Sequence, residues 1–214
     1  PPQKHGRTSA KGGYLGFARL RNVYWIVDMS GAGTSGMSTL ETVPAFELPN
    51  VGVGPDPLSL AEVADVSDFA VLLFLRDYHC PKCKAQVESL TTEARAFSER
   101  NAAVLPILPE SAARTESWRD SFEGAFPFPL LADESKAVAD SYNQPTQYGV
   151  LGSLHDLIGR LPQSLVLDTR AEEPEPIFTH RGESAADRPD ADALIDAVEA
   201  VGESFVFDCS LVDC

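Results

Sequence analysis

Hydrophobic and polar positions fall into blocks along the chain that predict strands and helices in turn. The run "AVLLFLR" (Ala70–Arg76) is apolar up to its last residue and has polar residues on both sides, as expected of a buried central strand. The stretch 81–100 instead carries apolar residues at three- to four-residue spacing, with Glu and Arg between them, which predicts an amphipathic helix. The apolar positions of that helix are Val87, Leu90, Ala94 and Phe97.

Shorter patterns on either side extend this alternation. Before the apolar run, "AFELPN" (Ala45–Asn50) predicts an extended segment, and "SLAEVAD" (Ser59–Asp65) predicts a helical turn with Ser59 as its N-cap. After the long helix, "AAVLPIL" (102–108) predicts a second buried strand. Because Pro106 lacks a backbone N–H, we expect this strand at an edge of the sheet or at a bulge.

The C-terminal half follows the same scheme. The elements predicted there are helices around Glu116–Phe122 and Glu134–Tyr142, strands at Ser164–Asp168 and Pro176–His180, and a final helix over 190–202. The final helix has Asp190 as its cap and ends at Gly202. Strands that alternate with helices, followed by two strands and a helix, predict an α/β fold with a central sheet flanked by helices on both faces.

Charge divides the chain into segments. The 214 residues carry a formal net charge of −15, yet residues 1–36 hold five Lys/Arg and a single acidic residue. We interpret this basic segment, which begins with Pro-Pro, as a disordered leader. A folded domain is predicted over residues 37–202, and residues 203–214 form a short C-terminal tail.

The same properties limit the partners and the location of the protein. A strongly negative field disfavours nucleic acid and anionic membranes, because both need cationic contacts. The apolar runs are of strand length, well short of the roughly 18–20 residues of a membrane span. Val23–Val27 is also shorter than the apolar core of a signal peptide, about 7–15 residues. We therefore expect a cytoplasmic protein with no nucleic-acid or membrane partner.

The stretch "RDYHCPKCKAQVESL" (Arg76–Leu90) contains two cysteines, Cys80 and Cys83, at the point where the apolar run meets the long helix. Pro81 suits the first helical position, which places Cys80 at the N-cap, where free N–H groups and the helix dipole stabilise a thiolate. Cationic neighbours lower the pKa of a thiol further. The cationic candidates in this stretch are Arg76, His79, Lys82 and Lys84. Cys83, one turn along, is placed to close a disulfide with Cys80.

Two other interpretations of the cysteines remain open at this point. Cysteine is commonly buried as a small apolar residue, although two at this spacing beside lysines suit redox chemistry better. A zinc site would need four ligands, and the chain contains four cysteines, Cys80, Cys83, Cys209 and Cys214. The last two are separated by four residues, at the wide limit of the spacing found in zinc fingers. We therefore predict a redox dithiol with no metal and no cofactor.

The sequence resembles the thioredoxin-like redoxins, the group that holds the alkyl hydroperoxide reductase/thiol-specific antioxidant proteins, the peroxiredoxins and the TlpA-type thiol–disulfide oxidoreductases. The resemblance covers about Val43 to Val201. The segments that carry it, in family order, are "FELPN", "LSLAEV", "VLLFLRDYHCPKC", "FPFPLLADES" and "LPQSLVLD". It implies a thioredoxin-like fold. It also implies that Pro162 is the cis-proline that faces the cysteines and positions the substrate.

The chain departs from the peroxiredoxin pattern at the residues that bind peroxide. The family's hydroxyl, three residues before the reactive cysteine, is replaced by Asp77, and its proline is replaced by Leu73. The family's arginine, six residues before the strand-end Asp168, corresponds to Pro162, and Arg160 is near but does not match. Because that hydroxyl and guanidinium stabilise charge on the leaving oxygen, their replacement favours a disulfide over a peroxide as substrate.

We therefore predict a thiol–disulfide oxidoreductase in which Cys80 attacks a disulfide and Cys83 resolves the mixed intermediate. Its partners would be a disulfide-bearing protein or small molecule and a reducing system; the sequence does not predict an oligomeric state. The alternatives are an atypical hydroperoxide reductase and a non-enzymatic zinc-binding or partner-binding module. In the tail, Cys209 and Cys214 are either idle thiols or a relay to the dithiol.

Overall fold

The structure is a computed structural model, and it describes residues 40, 42–146 and 159–202. All of them belong to one compact unit, Thr39–Cys214. The predicted leader and the predicted tail lie outside the described residues. Within the described ranges, none of the helices has the length and apolar character needed to cross a bilayer.

Seven strands and six helices are described. The strands are β1 (Glu47–Leu48), β2 (Leu58–Ser59), β3 (Phe69–Phe74), β4 (Ala102–Leu108), β5 (Leu131–Ala132), β6 (Gln163–Asp168) and β7 (Glu175–Arg181). The helices are α1 (Leu60–Ala64), α2 (Pro81–Thr92), α3 (Ala94–Glu99), α4 (Ala112–Arg119), α5 (Ala137–Ser141) and α6 (Ala191–Gly202). Strands β1 and β2 pair with each other, and the other five form one mixed sheet in the order β5-β4-β3-β6-β7.

Strand β3 lies at the centre of the sheet, as its apolar run predicts, and all six of its residues are buried. Because side chains alternate between the faces of a strand, β3 contributes to two cores. Val71 and Leu73 pack in one core with residues of α2, α3, α4 and α6, and Leu72 and Phe74 pack in the other with residues of α1 and α5. Helices therefore cover both faces of the sheet, and the predicted fold class is confirmed.

Local signals set several helix boundaries. Ser59 caps α1 as predicted, because its hydroxyl accepts from the backbone N–H of Glu62 while the Glu62 carboxylate accepts from the N–H of Ser59. Asp190 caps α6, its Oδ1 accepting from the N–H of Ala193 at 2.9 Å. The predicted helix over 81–100 is interrupted, because Glu93 leaves helical geometry (φ −100°, ψ 9°) and separates α2 from α3.

The expectation for Pro106 is wrong in its placement of the strand, since β4 lies between β3 and β5. The carbonyl of Ile107 accepts a hydrogen bond at 2.9 Å from the backbone N–H of Leu75, the residue that follows β3. Alternate residues of a strand direct their backbone groups to opposite neighbours, so the nitrogen of Pro106 points away from β3. Pairing with β5 begins only at Ile107, so no ladder hydrogen bond is lost at Pro106 on that side.

Strand directions bring three distant segments to one edge of the sheet. Strand β6 runs antiparallel to β3 with Gln163 opposite Phe74, and β7 runs antiparallel to β6 with Arg181 opposite Gln163. The residues after β3, those before β6 and those after β7 therefore meet at the same edge. This edge holds the two cysteines at the start of α2.

Candidate active site

The dithiol lies where the sequence places it. Cys80 is the N-cap of α2 and Pro81 is its first residue. The Sγ atoms of Cys80 and Cys83 form a disulfide, with the two Cα atoms 5.3 Å apart. The pair can therefore store two electrons as a dithiol and release them on closing the bond.

Each sulfur accepts a backbone N–H. Cys80 Sγ accepts from the N–H of Cys83 at 3.1 Å, and Cys83 Sγ accepts from the N–H of Arg76 at 3.4 Å. Such hydrogen bonds favour the negatively charged form of a sulfur in the reduced protein. Cys80 is 5% exposed, whereas Cys83 is fully buried. Of the two, Cys80 is therefore the sulfur that a substrate can approach.

Arg188, which the sequence analysis does not identify, also lies at the dithiol. Its Nη2 is 4.0 Å from Cys80 Sγ, and the residue belongs to the loop between β7 and α6. Two hydrogen bonds fix the guanidinium: Nη1 donates to Gln86 Oε1 at 3.1 Å, and Nη2 donates to the carbonyl of Ala185 at 2.6 Å. Burial lowers the pKa of Arg188, and the nearby charge of Arg76 lowers it further.

The cationic residues predicted to stabilise the thiolate lie on the rim of the site. His79 is exposed and packs edge-on against the ring of Tyr78, with the centroids 5.0 Å apart. Lys82 is exposed on the first turn of α2. The ammonium of Lys84 donates to the carbonyl of Ser121 at 2.6 Å. The effect of these three residues on the thiolate stays a prediction.

Pro162 is buried immediately before β6, at the same edge of the sheet as the dithiol. Its carbonyl accepts from the N–H of Gly182 at 2.8 Å. The expectation of a cis bond is wrong, because Asp56–Pro57 is the one cis peptide in the described part of the chain. The bond before Pro162 is trans here, although the residue occupies the expected place at the start of the strand.

Comparison with known proteins identifies the family. Residues 40–171 match the AhpC/TSA family. The chain belongs to the AhpC/TSA family. Its members are redoxins, so the protein is an oxidoreductase with thiol-dependent chemistry, as the resemblance of its sequence implies. No curated protein matches the chain significantly.

Solved structures of peroxiredoxins share this fold. Peroxidoxin BcpB from Mycobacterium tuberculosis is 24% identical, with a TM-score of 0.61, and the match covers 78% of this chain and 99% of that one. A 2-Cys peroxiredoxin from Plasmodium vivax is 18% identical, with a TM-score of 0.62, over 76% and 80% of the two chains. At these identities the likeness shows the thioredoxin-like fold.

The AhpC/TSA hydroxyl position is occupied here by a carboxylate. Asp77 Oδ1 accepts from the backbone N–H of His79 at 2.8 Å, and the Asp77 carbonyl accepts from the N–H of Cys80 at 3.4 Å. An ionised carboxylate accepts hydrogen bonds but cannot donate one. Asp77 therefore cannot replace the hydroxyl as a donor to a peroxide.

The family's arginine is also absent, but another arginine supplies a guanidinium at the site. Pro162 supplies no guanidinium, and Arg160 Nη2 pairs with Asp140 at 2.7 Å. Arg188 instead brings a guanidinium to Cys80 from a position 108 residues further along the chain. The sequence gives only a weak signal for this contact. Arg188 follows β7, and the order of the strands places the end of β7 at the same edge of the sheet as the dithiol.

Two predicted residues fall outside the description of the site. Cys209 and Cys214 lie beyond the described residues, so the relay and the four-cysteine zinc set both stay untested predictions. Within the described ranges, no cluster of three or more His, Cys, Asp or Glu residues is arranged to bind a metal ion.

Proposed function

We propose that this AhpC/TSA protein is a thiol–disulfide oxidoreductase whose redox centre is the Cys80–Cys83 pair. The observation that carries the proposal is the geometry of that pair. Cys80 at the helix N-cap keeps 5% of its surface exposed, Cys83 three residues later is fully buried, and the two form a disulfide. This arrangement suits attack by the outer sulfur and resolution by the inner one.

The reaction is a two-electron exchange. The Cys80 thiolate attacks one sulfur of the substrate disulfide, which forms a mixed disulfide and releases the first substrate thiolate. Cys83 loses its proton to solvent and attacks Cys80 Sγ, which closes the Cys80–Cys83 disulfide and releases the second substrate thiolate, which is free to take up a proton. The substrate has then gained the two electrons that the protein has lost. An external dithiol reductant restores the protein by the reverse exchange.

A hydroperoxide reductase is the second candidate, and Arg188 is the observation that favours it. A guanidinium 4.0 Å from Cys80 Sγ could stabilise charge on a peroxide oxygen. Against it stands Asp77, which offers a carboxylate where the family has a hydroxyl donor. The missing donor is the reason that we place disulfide exchange first.

The two candidates are separated by comparing rates in one preparation. We expect the reduced protein to react faster with a model disulfide than with hydrogen peroxide or cumene hydroperoxide, and Cys80→Ser to abolish the reaction. Cys83→Ser should accumulate the mixed disulfide, visible by mass spectrometry. Fast, saturable hydroperoxide turnover that depends on Cys80, with slow disulfide reduction, would overturn the first candidate in favour of the second.

A further inference from the structure

Arg76 contacts the dithiol through its backbone and extends its guanidinium along the same edge of the sheet, towards the residues before β6. Its backbone N–H holds Cys83 Sγ, and its side-chain Nε donates to the carbonyl of Arg160 at 2.7 Å. In the described part of the chain, its two terminal nitrogens have no hydrogen-bond acceptor. Gly159 makes room for this fork, because a Cβ at that position would lie 2.9 Å from Arg76 Nη2. The donors of Arg76 are therefore available to a ligand.

Arg188 adds a second cation to the same place. Burial lowers the pKa of Arg188, and Arg76 lies near enough for its charge to lower that pKa further. Guanidinium groups stay protonated in proteins, so both remain positive at neutral pH. Neither forms an ion pair with a carboxylate among the described residues. The acidic residues next to them in sequence have other partners: Asp77 Oδ1 accepts from the N–H of His79, and Asp187 Oδ1 lies 3.1 Å from His180 Nε2.

This lack of carboxylate partners contrasts with most of the other described arginines of this acidic protein. The chain has 32 acidic and 17 basic residues, so carboxylates are abundant. Six other described arginines each have a carboxylate within ion-pair distance. These pairs are Arg95–Glu99, Arg100–Glu199, Arg114–Glu110, Arg119–Asp120, Arg160–Asp140 and Arg170–Asp168. Arg188, whose guanidinium lies at Cys80, and its neighbour Arg76 therefore both lack a carboxylate partner among the described residues.

We propose that Arg76 and Arg188 form an anion-recognition site that selects disulfides carrying a carboxylate close to the sulfur. This inference rests on the proposed function and names its substrate class. A carboxylate bound to Arg188 at a typical charge-assisted distance of about 2.8 Å lies within a few bonds of a sulfur that contacts Cys80. The preferred substrate is thus a short-chain carboxylate disulfide, such as a 3-mercaptopropionate or cysteine-like disulfide.

The overall negative charge does not oppose this preference at close range. Exposed charges are screened beyond about 8 Å at physiological ionic strength. The guanidiniums act within contact distance, where planar bidentate pairing with a carboxylate is strong. Selectivity therefore arises at the site even though distant carboxylates slow the approach of an anion at low salt.

The first experiment measures anion preference without any disulfide. Iodoacetate and iodoacetamide have similar size, and both alkylate a thiolate by displacing iodide, but only iodoacetate carries a carboxylate. The fully reduced chain is treated with each, and Cys80 alkylation is followed by peptide mapping. We expect the iodoacetate-to-iodoacetamide rate ratio at Cys80 to exceed that of a free thiol about ten-fold or more, as charge-assisted pairing predicts. A ratio equal to that of the free thiol would overturn the proposal.

Variants assign the preference to the two arginines. Arg76→Gln and Arg188→Gln should each lower the ratio several-fold, and the double variant should bring it to the free-thiol value. Arg95→Gln removes the same charge from an exposed part of α3 and should leave the ratio unchanged. A ratio that falls equally in Arg95→Gln would reduce the effect to net charge and overturn the proposal. Far-UV circular dichroism and urea unfolding show whether each variant is folded.

The second experiment tests the substrate class. The reduced protein reacts in single turnovers with 3,3′-dithiodipropionate, which is anionic, and with bis(2-hydroxyethyl) disulfide, which is neutral. Each rate is divided by the rate at which dithiothreitol reduces the same compound. We expect about a ten-fold preference for the anion. Acceleration of both without preference would overturn the substrate class alone. No acceleration of either would overturn the proposed function, whatever the alkylation ratio.

Discussion

The side chain of Gln86 joins the dithiol helix to the loop that carries Arg188. Gln86 Oε1 accepts from Arg188 Nη1 at 3.1 Å, while Gln86 Nε2 donates to the carbonyl of Pro189 at 3.2 Å. Gln86 is buried on α2, one turn after Cys83. The position of the Arg188 guanidinium relative to Cys80 is therefore set by a largely buried residue of the dithiol helix.

Replacing Gln86 should consequently affect both stability and reaction. Gln86→Leu leaves a buried guanidinium N–H and a carbonyl without partners, and we expect the free energy of unfolding to fall by about 1–3 kcal/mol. Because Arg188 loses its orientation, the iodoacetate preference of Cys80 should fall as well. Urea unfolding and alkylation kinetics measure the two effects. Ser89→Ala, at an exposed position of the same helix, is the matched control. Loss of stability with an unchanged alkylation ratio would contradict the orienting role.

The two cysteines should differ in reactivity. Cys80 lies at the helix N-cap and keeps 5% of its surface exposed, whereas Cys83 is fully buried. We therefore expect Cys80 to be alkylated at least ten-fold faster than Cys83 at pH 6, as a thiolate stabilised at a helix N-terminus. Alkylation for fixed times, followed by peptide mapping, checks this. Faster labelling of Cys83 would reverse the assigned roles, and full denaturation before labelling is the control that should equalise the two.

Asp168 lies at the end of β6 that is far from the dithiol, and it should make the stability of the protein depend on pH. The side chain of Arg170 hydrogen-bonds the carboxylate, with Nη2 2.6 Å from Oδ2, and holds the pKa of Asp168 below its usual value. A depressed pKa stabilises the fold above the unfolded-state pKa of about 3.9, and this contribution is lost as the pH falls through the lower folded-state pKa. We expect Asp168→Asn to lower the free energy of unfolding by about 1 kcal/mol at pH 7, given partial exposure.

The pH profile distinguishes this contribution from a simple loss of packing. The difference between the wild-type protein and Asp168→Asn should shrink towards zero below the folded-state pKa, because the wild-type carboxyl is then neutral too. Denaturant unfolding at a series of pH values measures it. Asp196→Asn, at an exposed position on α6, is the control and should show little effect at either end. A difference that persists unchanged in acid would refute the linkage.

Gly182 should tolerate no side chain. A Cβ there would lie 2.8 Å from Pro162 Cγ and would collide with the carbonyl of Asp187. We expect Gly182→Ala to cost about 1–3 kcal/mol of stability through overpacking. The shifted loop should also slow the reaction of Cys80 with a model disulfide. Thermal unfolding and single-turnover kinetics test this, with Ala186→Ser, at an exposed position of the same loop, as the control. Wild-type behaviour of Gly182→Ala would show that the loop adjusts freely.

Much of the fold was predictable because its signals are local. The apolar run of β3, the capping of α1 by Ser59 and the Cys-Pro start of α2 each depend on residues within a few positions of one another. Sheet order is less local, and Pro106 shows the limit. The proline is acceptable inside the sheet only because β5 is short and pairs from Ile107 onwards, which the composition of β4 alone does not indicate.

The candidate site was predictable only in its covalent part. Cys80 and Cys83 are neighbours in sequence, so their spacing is sufficient to identify the dithiol. Arg188 reaches that pair through the order of three strands, and no motif near it indicates the contact. The resemblance placed Pro162 at the correct edge of the sheet but carried over a cis bond that the chain does not have. Position transfers with the fold, whereas the conformation of a single bond depends on local contacts.

The strand order also has a consequence for biosynthesis. Cys80 and Cys83 leave the ribosome long before Pro162 and Arg188, because they come earlier in the chain. The sheet completes the site only with β6, β7 and the loop that follows. A growing chain that ends before Gly159 therefore carries both thiols without the neighbours that give them selectivity. Selectivity among thiols and disulfides begins only with the completed domain. Until then, only the reductants around the nascent chain prevent its two thiols from forming disulfides with other molecules.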